Sequence, residues 1–162
     1  MVFFSVRKLG GSLVKCLVLS LVIAAQAPAA VADSIVGLWR TDPTDKGYAH
    51  VEVSREGELF EGRVVWLSQP HFPPGDPEAG RPKVDRLNPD PELRGQPIIG
   101  LPLMSGFRYV DGVWRGGRIY DPETGKTYKC VLRLGDDGKL KVRGYVGISL
   151  LGRTTVWERV DL

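Results

Sequence analysis

The segment Lys139–Asp161, with the sequence KLKVRGYVGISLLGRTTVWERVD, decides the fold class. Its first part alternates, with Leu140, Val142, Gly144 and Val146 on one face and Lys139, Lys141, Arg143 and Tyr145 on the other. A period of two is typical of a strand that buries one face and exposes the other. After Gly152, residues 154–160 are rich in β-branched and aromatic side chains, which indicates a second strand. The segment therefore predicts two strands joined by a glycine-bracketed loop.

Six more strand signals lie upstream and are separated by short groups of turn-forming residues. The predicted strands are residues 35–41, 48–55, 60–66, 107–110, 113–120 and 126–134. In the third of these, Phe60, Gly62, Val64 and Trp66 are predicted to share one face. The short connections favour antiparallel pairing of each strand with the next.

A proline-rich segment, residues 68–105, separates the third strand from the fourth. It holds nine of the twelve prolines of the chain, and proline lacks the N–H that a sheet ladder needs. Within it, the sequence Asp90-Pro91-Glu92-Leu93-Arg94 has an N-cap residue followed by proline, which predicts one short helix. We expect a long loop that packs its apolar residues against the barrel, namely Ile98, Ile99, Leu101, Leu103 and Met104.

Eight strands without a long helix would leave two sheet edges and a broad apolar face uncovered, unless the sheet closes on itself. The predicted fold class is therefore all-β: a small antiparallel up-and-down β-barrel of about eight strands with a long Pro-rich loop. Such a barrel is either filled by side chains or able to hold one small ligand. A two-sheet sandwich is the alternative.

The N-terminal 32 residues have the pattern of a secretory signal peptide. Arg7, Lys8 and Lys15 precede the apolar run 16–25, and Ala30-Val31-Ala32 supplies the small residues of a cleavage site. A membrane anchor is the alternative, but the run is shorter than the roughly 20 residues that span a bilayer. We expect cleavage after residue 32, a single domain over residues 33–162, and a periplasmic or secreted location without a membrane span.

The charge of the chain argues against a nucleic-acid partner. The sequence has 22 Lys and Arg against 19 Asp and Glu, and three of the basic residues lie within residues 1–32, so the predicted mature chain is formally neutral. It retains one cysteine, Cys130, which shares its face with Tyr128, Leu132 and Leu134 and is predicted to be a buried structural thiol. The sequence gives no oligomeric state.

Motifs of catalysis or metal binding are incomplete. The loop from Gly147 to Gly152 is one residue too long for a Gly-x-Ser-x-Gly nucleophile elbow. His50 and His71 lack partners at zinc-ligand spacing, and the acidic residues between 85 and 92 fit turn and cap roles better than a calcium loop. We therefore assign no catalytic residue, metal site or cofactor.

Two sets of residues resemble known families. Gly37-x-Trp39 on the first strand with Arg159 on the last looks like the lipocalin and wider calycin arrangement, in which the tryptophan closes one barrel end under a basic side chain. A larger set resembles an exported bacterial family catalogued as domain of unknown function 2147: Asn88-Pro89-Asp90-Pro91-x-Leu93-Arg94, Gly100-Leu101, Ile119-Tyr120-Asp121-Pro122-x-x-Gly125-Lys126-x-Tyr128 and Arg143-Gly144-Tyr145-x-Gly147-x-x-Leu150-x-Gly152-Arg153-Thr154-x-x-Trp157. The resemblance implies a lipocalin-like barrel and no established chemistry.

The leading functional hypothesis is a binding module for a small apolar or amphipathic molecule in the cell envelope. Arginine beside glycine and tyrosine suits recognition of a carboxylate or phosphate, and barrel ligands enter at a mouth. The candidate ligand-binding residues are Trp66, Arg94, Tyr120, Arg143, Tyr145 and Arg153. We expect the Pro-rich segment and the loop 147–152 to meet over that mouth. The alternatives are a filled barrel that acts as an envelope interaction protein, and a weak hydrolase that uses arginine and aspartate groups.

Overall fold

A computed structural model describes residues 29–161 as an eight-stranded antiparallel barrel. Helix α1 (Ala29–Ala32) and a 3-10 turn (Asp33–Ile35) precede the strands, and a second 3-10 turn (Pro91–Leu93) lies between β3 and β4. The strands are β1 (Gly37–Arg40), β2 (Ala49–Glu56), β3 (Leu59–Leu67), β4 (Pro102–Val110), β5 (Val113–Asp121), β6 (Lys126–Leu134), β7 (Leu140–Tyr145) and β8 (Gly152–Arg159).

Each strand pairs with the next, and β8 pairs with β1 through Trp39 and Arg159, so that the sheet closes. The predicted up-and-down barrel is confirmed. Closure satisfies both edge strands without a covering helix. The predicted signal peptide lies outside the described residues apart from Ala29–Ala32.

One end of the barrel, the closed end, is plugged by the residues that precede β1. Ile35 is fully buried, and its carbonyl accepts a hydrogen bond of 2.8 Å from Trp39 Nε1. The carbonyl of Ala32 accepts one of 3.0 Å from Trp114 Nε1. The Arg159 guanidinium lies 4.4 Å from the Trp39 ring centroid, which is the contact that the calycin resemblance implied.

The opposite end, the open end, carries the β1–β2, β3–β4, β5–β6 and β7–β8 connections. The β3–β4 connection, residues 68–101, is the Pro-rich segment and is called the excursion below. Its main chain bonds back to β3, because Gly100 N donates to Val64 O and Val64 N donates to Leu101 O. Ile98, Leu101, Leu103 and Met104 are buried in the core as predicted. The predicted burial of Ile99 is wrong, because this residue is 47% exposed.

Strand β4 begins at Pro102, inside the segment predicted to be loop as far as residue 105. A proline at the first position of a strand costs the ladder little, since the ladder does not need its missing N–H there. Met104 pairs with both Gly62 on β3 and Ile119 on β5, so the strand is already central at that residue. The predicted start of β4 is therefore a few residues too late, because the density of prolines indicated a loop there.

The predicted face of Trp66 is wrong. The β2–β3 register shifts between His50 and Val51, so that Val51 pairs with Val64 while His50 pairs with Trp66. One extra residue, Val65, reverses the alternation on β3. Trp66 therefore points outward with 43% of its surface exposed.

The residues that the structure describes contain no helix that is long and apolar enough to cross a membrane.

Candidate functional site at the open barrel end

Side chains fill the barrel interior towards the closed end. Phe60 packs edge-on against Trp114 at a centroid distance of 6.3 Å, and the indole of Trp114 is 2% exposed. The inward residues there are all buried: Trp39, Val53, Phe60, Phe107, Trp114, Leu132, Leu140 and Trp157. At this packing the closed end is core, and any ligand in the barrel must lie nearer the open end.

Half-exposed or exposed residues line the inside of the open end. We call Ile119, Tyr128, Gly144, Arg153 and Thr155 the mouth. Ile119 pairs with Tyr128, Gly144 pairs with Arg153, and Thr155 pairs with the buried Val142, which places all five on the inward side of β5 to β8. In contrast to the core below them, none of the five is fully buried.

Gly144 leaves space in the wall of the mouth. A Cβ added to it would meet Tyr128 Cβ at 3.6 Å and Ile119 Cγ2 at 3.7 Å, which are ordinary van der Waals distances. At Gly117 on β5, an added Cβ would lie 2.4 Å from the ring of Phe107. Gly117 and Gly144 both pair with Cys130, so in this row of the barrel the inward face has free volume at β7 and none at β5.

Arg153 is the cation of the mouth. It is exposed, and within residues 29–161 no carboxylate lies at salt-bridge distance from it, whereas Arg40 and Lys139 both pair with Glu158. A guanidinium can bind a carboxylate or phosphate through two parallel hydrogen bonds. The mouth thus combines an apolar wall with one available cation.

A buried carboxylate joins the excursion to the barrel. Asp85 is fully buried; its Oδ1 accepts from the Tyr120 hydroxyl at 2.7 Å, and its Oδ2 accepts from Asn88 Nδ2 at 2.7 Å. Arg94 Nε donates to the Asn88 carbonyl at 2.8 Å. Burial and the Asp85 carboxylate raise the pKa of the Tyr120 phenol above its usual range, so the hydroxyl stays a donor. Asp85, Asn88, Arg94 and Tyr120 therefore form one network, and its geometry is that of a structural clamp.

The hairpin β7–β8 has its own clamp. Arg143 points outward and donates from Nε to Ser149 O at 2.8 Å, from Nη2 to Leu150 O at 3.1 Å, and from Nη1 to Thr154 Oγ1 at 2.9 Å. Tyr145 lies beside it on the same face, opposite Lys129 of β6. Arg143 therefore stabilises the conformation of the β7–β8 loop.

Trp66 lies apart from both clamps, in an aromatic patch on the outer wall of the barrel. Its ring lies 4.7 Å from that of His50 and 5.6 Å from that of Tyr48, and the Arg40 guanidinium lies 5.6 Å from the Tyr48 ring. Aromatic rings at such distances stabilise one another and present flat faces to solvent.

The structure thus separates the six predicted site residues into three groups. Arg94 and Tyr120 lie in the excursion network, Arg143, Tyr145 and Arg153 lie on one hairpin, and Trp66 lies on the outer wall. The excursion docks on the β5–β6 side, where a Cβ on Gly125 would lie 2.0 Å from Leu87 O. The hydrogen bonds recorded for the β7–β8 loop stay within its own hairpin. These hydrogen bonds therefore do not join the β7–β8 loop to the excursion, contrary to the predicted contact over the mouth.

Sequence reasoning missed the hydrogen bond from Tyr120 to Asp85, which anchors the excursion. Asp85 stands among polar and proline residues that are typical of turns, and only the fold brings it under Tyr120 from β5. The signal that existed was the pair of hydrophobic residues, Val84 and Leu87, that flank Asp85 and Arg86 in an otherwise polar stretch.

Two further kinds of chemical site are a reactive cysteine and a metal centre. The Cys130 thiol is buried, and burial raises its pKa to about 12, which keeps it protonated and unreactive at neutral pH. Residues 29–161 contain no group of three or more His, Cys, Asp or Glu side chains arranged to hold a metal ion.

A surface cavity of about 430 Å³ lies in the excursion, away from the mouth. Its walls come from Arg81, Arg86, Arg94 and neighbouring residues of the same segment. The Arg86 guanidinium is already bound to both carboxylate oxygens of Asp76 at 2.8 and 2.7 Å and lies 4.4 Å from the Phe72 ring centroid. Arg86 on the wall of this cavity therefore stabilises the fold of the excursion.

The comparisons with known proteins agree with this fold. Residues 37–159 match a family described as an uncharacterized protein conserved in bacteria (DUF2147). Among solved structures, the chain is similar to protein HP1028 of Helicobacter pylori, described as a member of the lipocalin family, with 24% identity and a TM-score of 0.66 over 78% of this chain and 82% of that one. No curated protein matches the chain. Because the family match runs from the start of β1 to the end of β8, the chain belongs to this bacterial family.

Proposed function

We propose that this protein is exported and binds a small amphipathic molecule at the mouth, with its apolar part against Ile119 and Tyr128 and an acidic group on Arg153. One observation carries the proposal: the inward face changes from fully buried at Val142 to half-exposed at Gly144 and Thr155, beside an exposed arginine. An apolar concavity with one convergent polar group is the usual form of a small-molecule site.

The size of the mouth limits the ligand. Only one layer, which begins at Gly144 and Thr155, is free, because their paired neighbours Cys130 and Val142 are buried on the interior side. A strand rises by about 3.3 Å per residue, so the layer is a shallow cup of two inward positions. We therefore expect part of the ligand to remain in solvent, and a Kd on the order of micromolar.

The proposed export follows from the N-terminal pattern of residues 1–32. We expect protein recovered from its native host to lack this segment and to be found outside the cytoplasm. Intact-mass measurement of that protein checks the expectation, and retention of Met1 contradicts it.

Binding is tested with a dansyl-labelled fatty acid, whose fluorescence rises when its fluorophore leaves water. We expect Gly144→Leu to fill the cup and abolish the rise, and Arg153→Ala to weaken binding by about tenfold through loss of a charge-assisted contact. Arg133→Ala, an exposed arginine on the outer face of β6, is the matched control and should bind as the wild type does. Circular dichroism establishes that each variant folds.

Saturable binding that survives Gly144→Leu would place the probe elsewhere and exclude the mouth as its site. A methyl ester of the same probe separates the two contributions. Binding of the ester should be the same in Arg153→Ala as in the wild type, and Gly144→Leu should still abolish it.

A filled-barrel interaction protein is the second candidate, and the aromatic patch of Tyr48, His50 and Trp66 favours it. Trp66 is 43% exposed, and aromatic side chains are enriched at protein interfaces. This candidate predicts no response of the wild type to the fatty acid or to its ester.

A further inference from the structure

The most exposed apolar residues of the described chain lie together in the β7–β8 loop. Val146, Ile148, Leu150 and Leu151 are 70%, 63%, 83% and 75% exposed. Single exposed apolar side chains are common on soluble proteins, but four within six residues at one loop tip are not. We call these four residues the apolar tip.

The exposure of the apolar tip is built into the structure. The Arg143 guanidinium uses Nε, Nη1 and Nη2 to bind the loop carbonyls of Ser149 and Leu150 and the Thr154 hydroxyl. Leu151 N also donates to Ile148 O at 3.2 Å, which closes a turn inside the loop. These bonds hold the loop backbone in one shape while its apolar side chains face solvent.

Positive charge surrounds the base of the tip. Residues 126–159, which span β6 to β8, contain eight Lys and Arg and three Asp and Glu, although residues 33–162 as a whole are balanced. Two of the three acids, Asp136 and Asp137, lie in the β6–β7 turn at the closed end of the barrel. The third, Glu158, is held by Arg40 and Lys139. The part of this outer face next to the tip is therefore cationic, with the exposed Lys129 and the half-buried Arg143.

The residues form layers along the hairpin axis. The apolar tip is outermost, the half-buried Tyr145 lies at its base, and the cations Lys129 and Arg143 lie at the same level or just below. Apolar groups at the tip, an aromatic ring with a polar end next, and basic side chains behind match the order of hydrocarbon, interface and phosphates in a bilayer surface. Each strand residue adds about 3.3 Å, so the tip and Tyr145 together span the depth of roughly 5–10 Å that interfacial segments reach.

We propose that the apolar tip and the cationic face of β6 to β8 bind the surface of a bilayer that contains anionic lipids. A protein partner is the less suitable occupant, because four side chains on a convex loop offer a few hundred Å², well below the roughly 800 Å² per partner of a standard interface. Insertion into a bilayer needs no complementary partner surface, and each basic residue near an anionic surface adds to the affinity.

This surface is distinct from the mouth. The tip side chains lie on the loop beyond β7 and β8, and Lys129 and Lys141 face outward, whereas Gly144 and Thr155 face inward. Membrane binding therefore does not depend on the proposed ligand, and the two can be tested separately.

The test is co-sedimentation with vesicles of phosphatidylglycerol and phosphatidylcholine, and with vesicles of phosphatidylcholine alone. We expect binding to the anionic vesicles that falls at least about tenfold when salt rises from 0.05 to 0.5 M, and little binding to phosphatidylcholine alone, because screening removes the attraction of surface charges. The double variant Leu150→Ser and Leu151→Ser should lower the affinity by at least about tenfold. Lys129→Gln should lower it by about fivefold.

Val65→Ser is the matched control, since Val65 is an exposed apolar residue on the outer face of β3. It should bind as the wild type does. Equal binding to both vesicle types, or full binding by the Leu150→Ser and Leu151→Ser variant, overturns the proposal. So does a concentration-dependent dimer in sedimentation velocity that this variant abolishes, since the tip would then be an interface between two copies of the chain.

Discussion

The Tyr120 hydroxyl of β5 and the carboxylate of Asp85 in the excursion form a hydrogen bond of 2.7 Å in a buried site. Within residues 29–161 no Lys or Arg forms a salt bridge with Asp85, whose oxygens bond to the Tyr120 hydroxyl and to the Asn88 side-chain amide. A buried carboxylate is costly to leave without donors. This pair is therefore the point at which the barrel determines the position of a segment that has few backbone bonds to the sheet.

Tyr120→Phe should loosen the excursion. It removes one of the donors to a buried carboxylate, and we expect a loss of about 1–3 kcal/mol of stability. Amide exchange should become faster at Asp85, Asn88 and Gln96 while the amides of β6 and β7 stay protected. Tyr145→Phe, which removes a hydroxyl outside this network, is the control. Equal acceleration in every strand would show that Tyr120 supports the whole barrel instead.

Arg159→Ala should destabilise the closed end. The guanidinium lies over the Trp39 ring, donates to Val36 O at 3.0 Å and also donates to Ser34 O. We expect a loss of about 1–2 kcal/mol from the ring contact, and a lower Tm. Ligand and vesicle binding should not change, because both proposed surfaces are at the other end. An unaltered Tm would remove the role assigned to this pair, and Arg133→Ala gives the effect of losing an arginine elsewhere.

Two glycines on the inward face should respond differently to alanine. Gly117→Ala places a methyl group 2.4 Å from the Phe107 ring, so the core must shift, and we expect a loss of about 1–3 kcal/mol. Gly144→Ala meets its nearest neighbours at 3.6 and 3.7 Å and should cost far less. Urea denaturation of the two variants makes the comparison. Similar losses at both positions would contradict the free space described at the mouth.

Cleavage after Ala32 would remove the acceptor of a buried indole, since Trp114 Nε1 donates to Ala32 O. A chain that begins at Asp33 should therefore be less stable than one that begins at Ala30, by about 1–3 kcal/mol. In a Trp114→Phe background most of that difference should disappear, because phenylalanine has no donor to satisfy. Urea denaturation of the four chains, two start points each with and without Trp114→Phe, gives the coupling free energy between the two changes. If the difference in stability persists in the Trp114→Phe background, it arises from lost packing of Ala32 instead.

The excursion should weaken in acid through Asp76. Its hydrogen bonds to Arg86 lower the pKa of the carboxyl to about 2 from an ordinary value of 3.8. Since the folded pKa lies below the unfolded one, the stabilisation is present above pH 3.8 and is lost as pH falls towards 2. Carbon NMR of the carboxyl should give this low midpoint, and Arg86→Ala should return it to the ordinary range. A wild-type midpoint near 3.8 would falsify the assignment, and Glu92→Gln is a control on the same segment.

The sequence by itself determined the strands and their order. Alternation with a period of two locates β2, β5, β6 and β7 to within a residue or two, because one buried face imposes that period locally. Asp90, Pro91 and Glu92 also predicted one short helix, which the structure has as a single 3-10 turn with Asp90 Oδ1 accepting from Glu92 N. The closed end was implied by the resemblance of Gly37, Trp39 and Arg159 to the calycin arrangement.

Only the tertiary structure decided which faces and loops meet. The register shift beside Val51 turned Trp66 outward, and a shift of one residue in pairing cannot be read from one strand alone. Tyr120 and Asp85 are far apart in sequence, and closure of the barrel places them together. The exposure of Leu150 and Leu151 also depends on the fold, because an apolar loop is buried or left in solvent according to what lies opposite it. Local periodicity reports burial along a strand, whereas contacts between distant segments are fixed by the closed sheet that holds them.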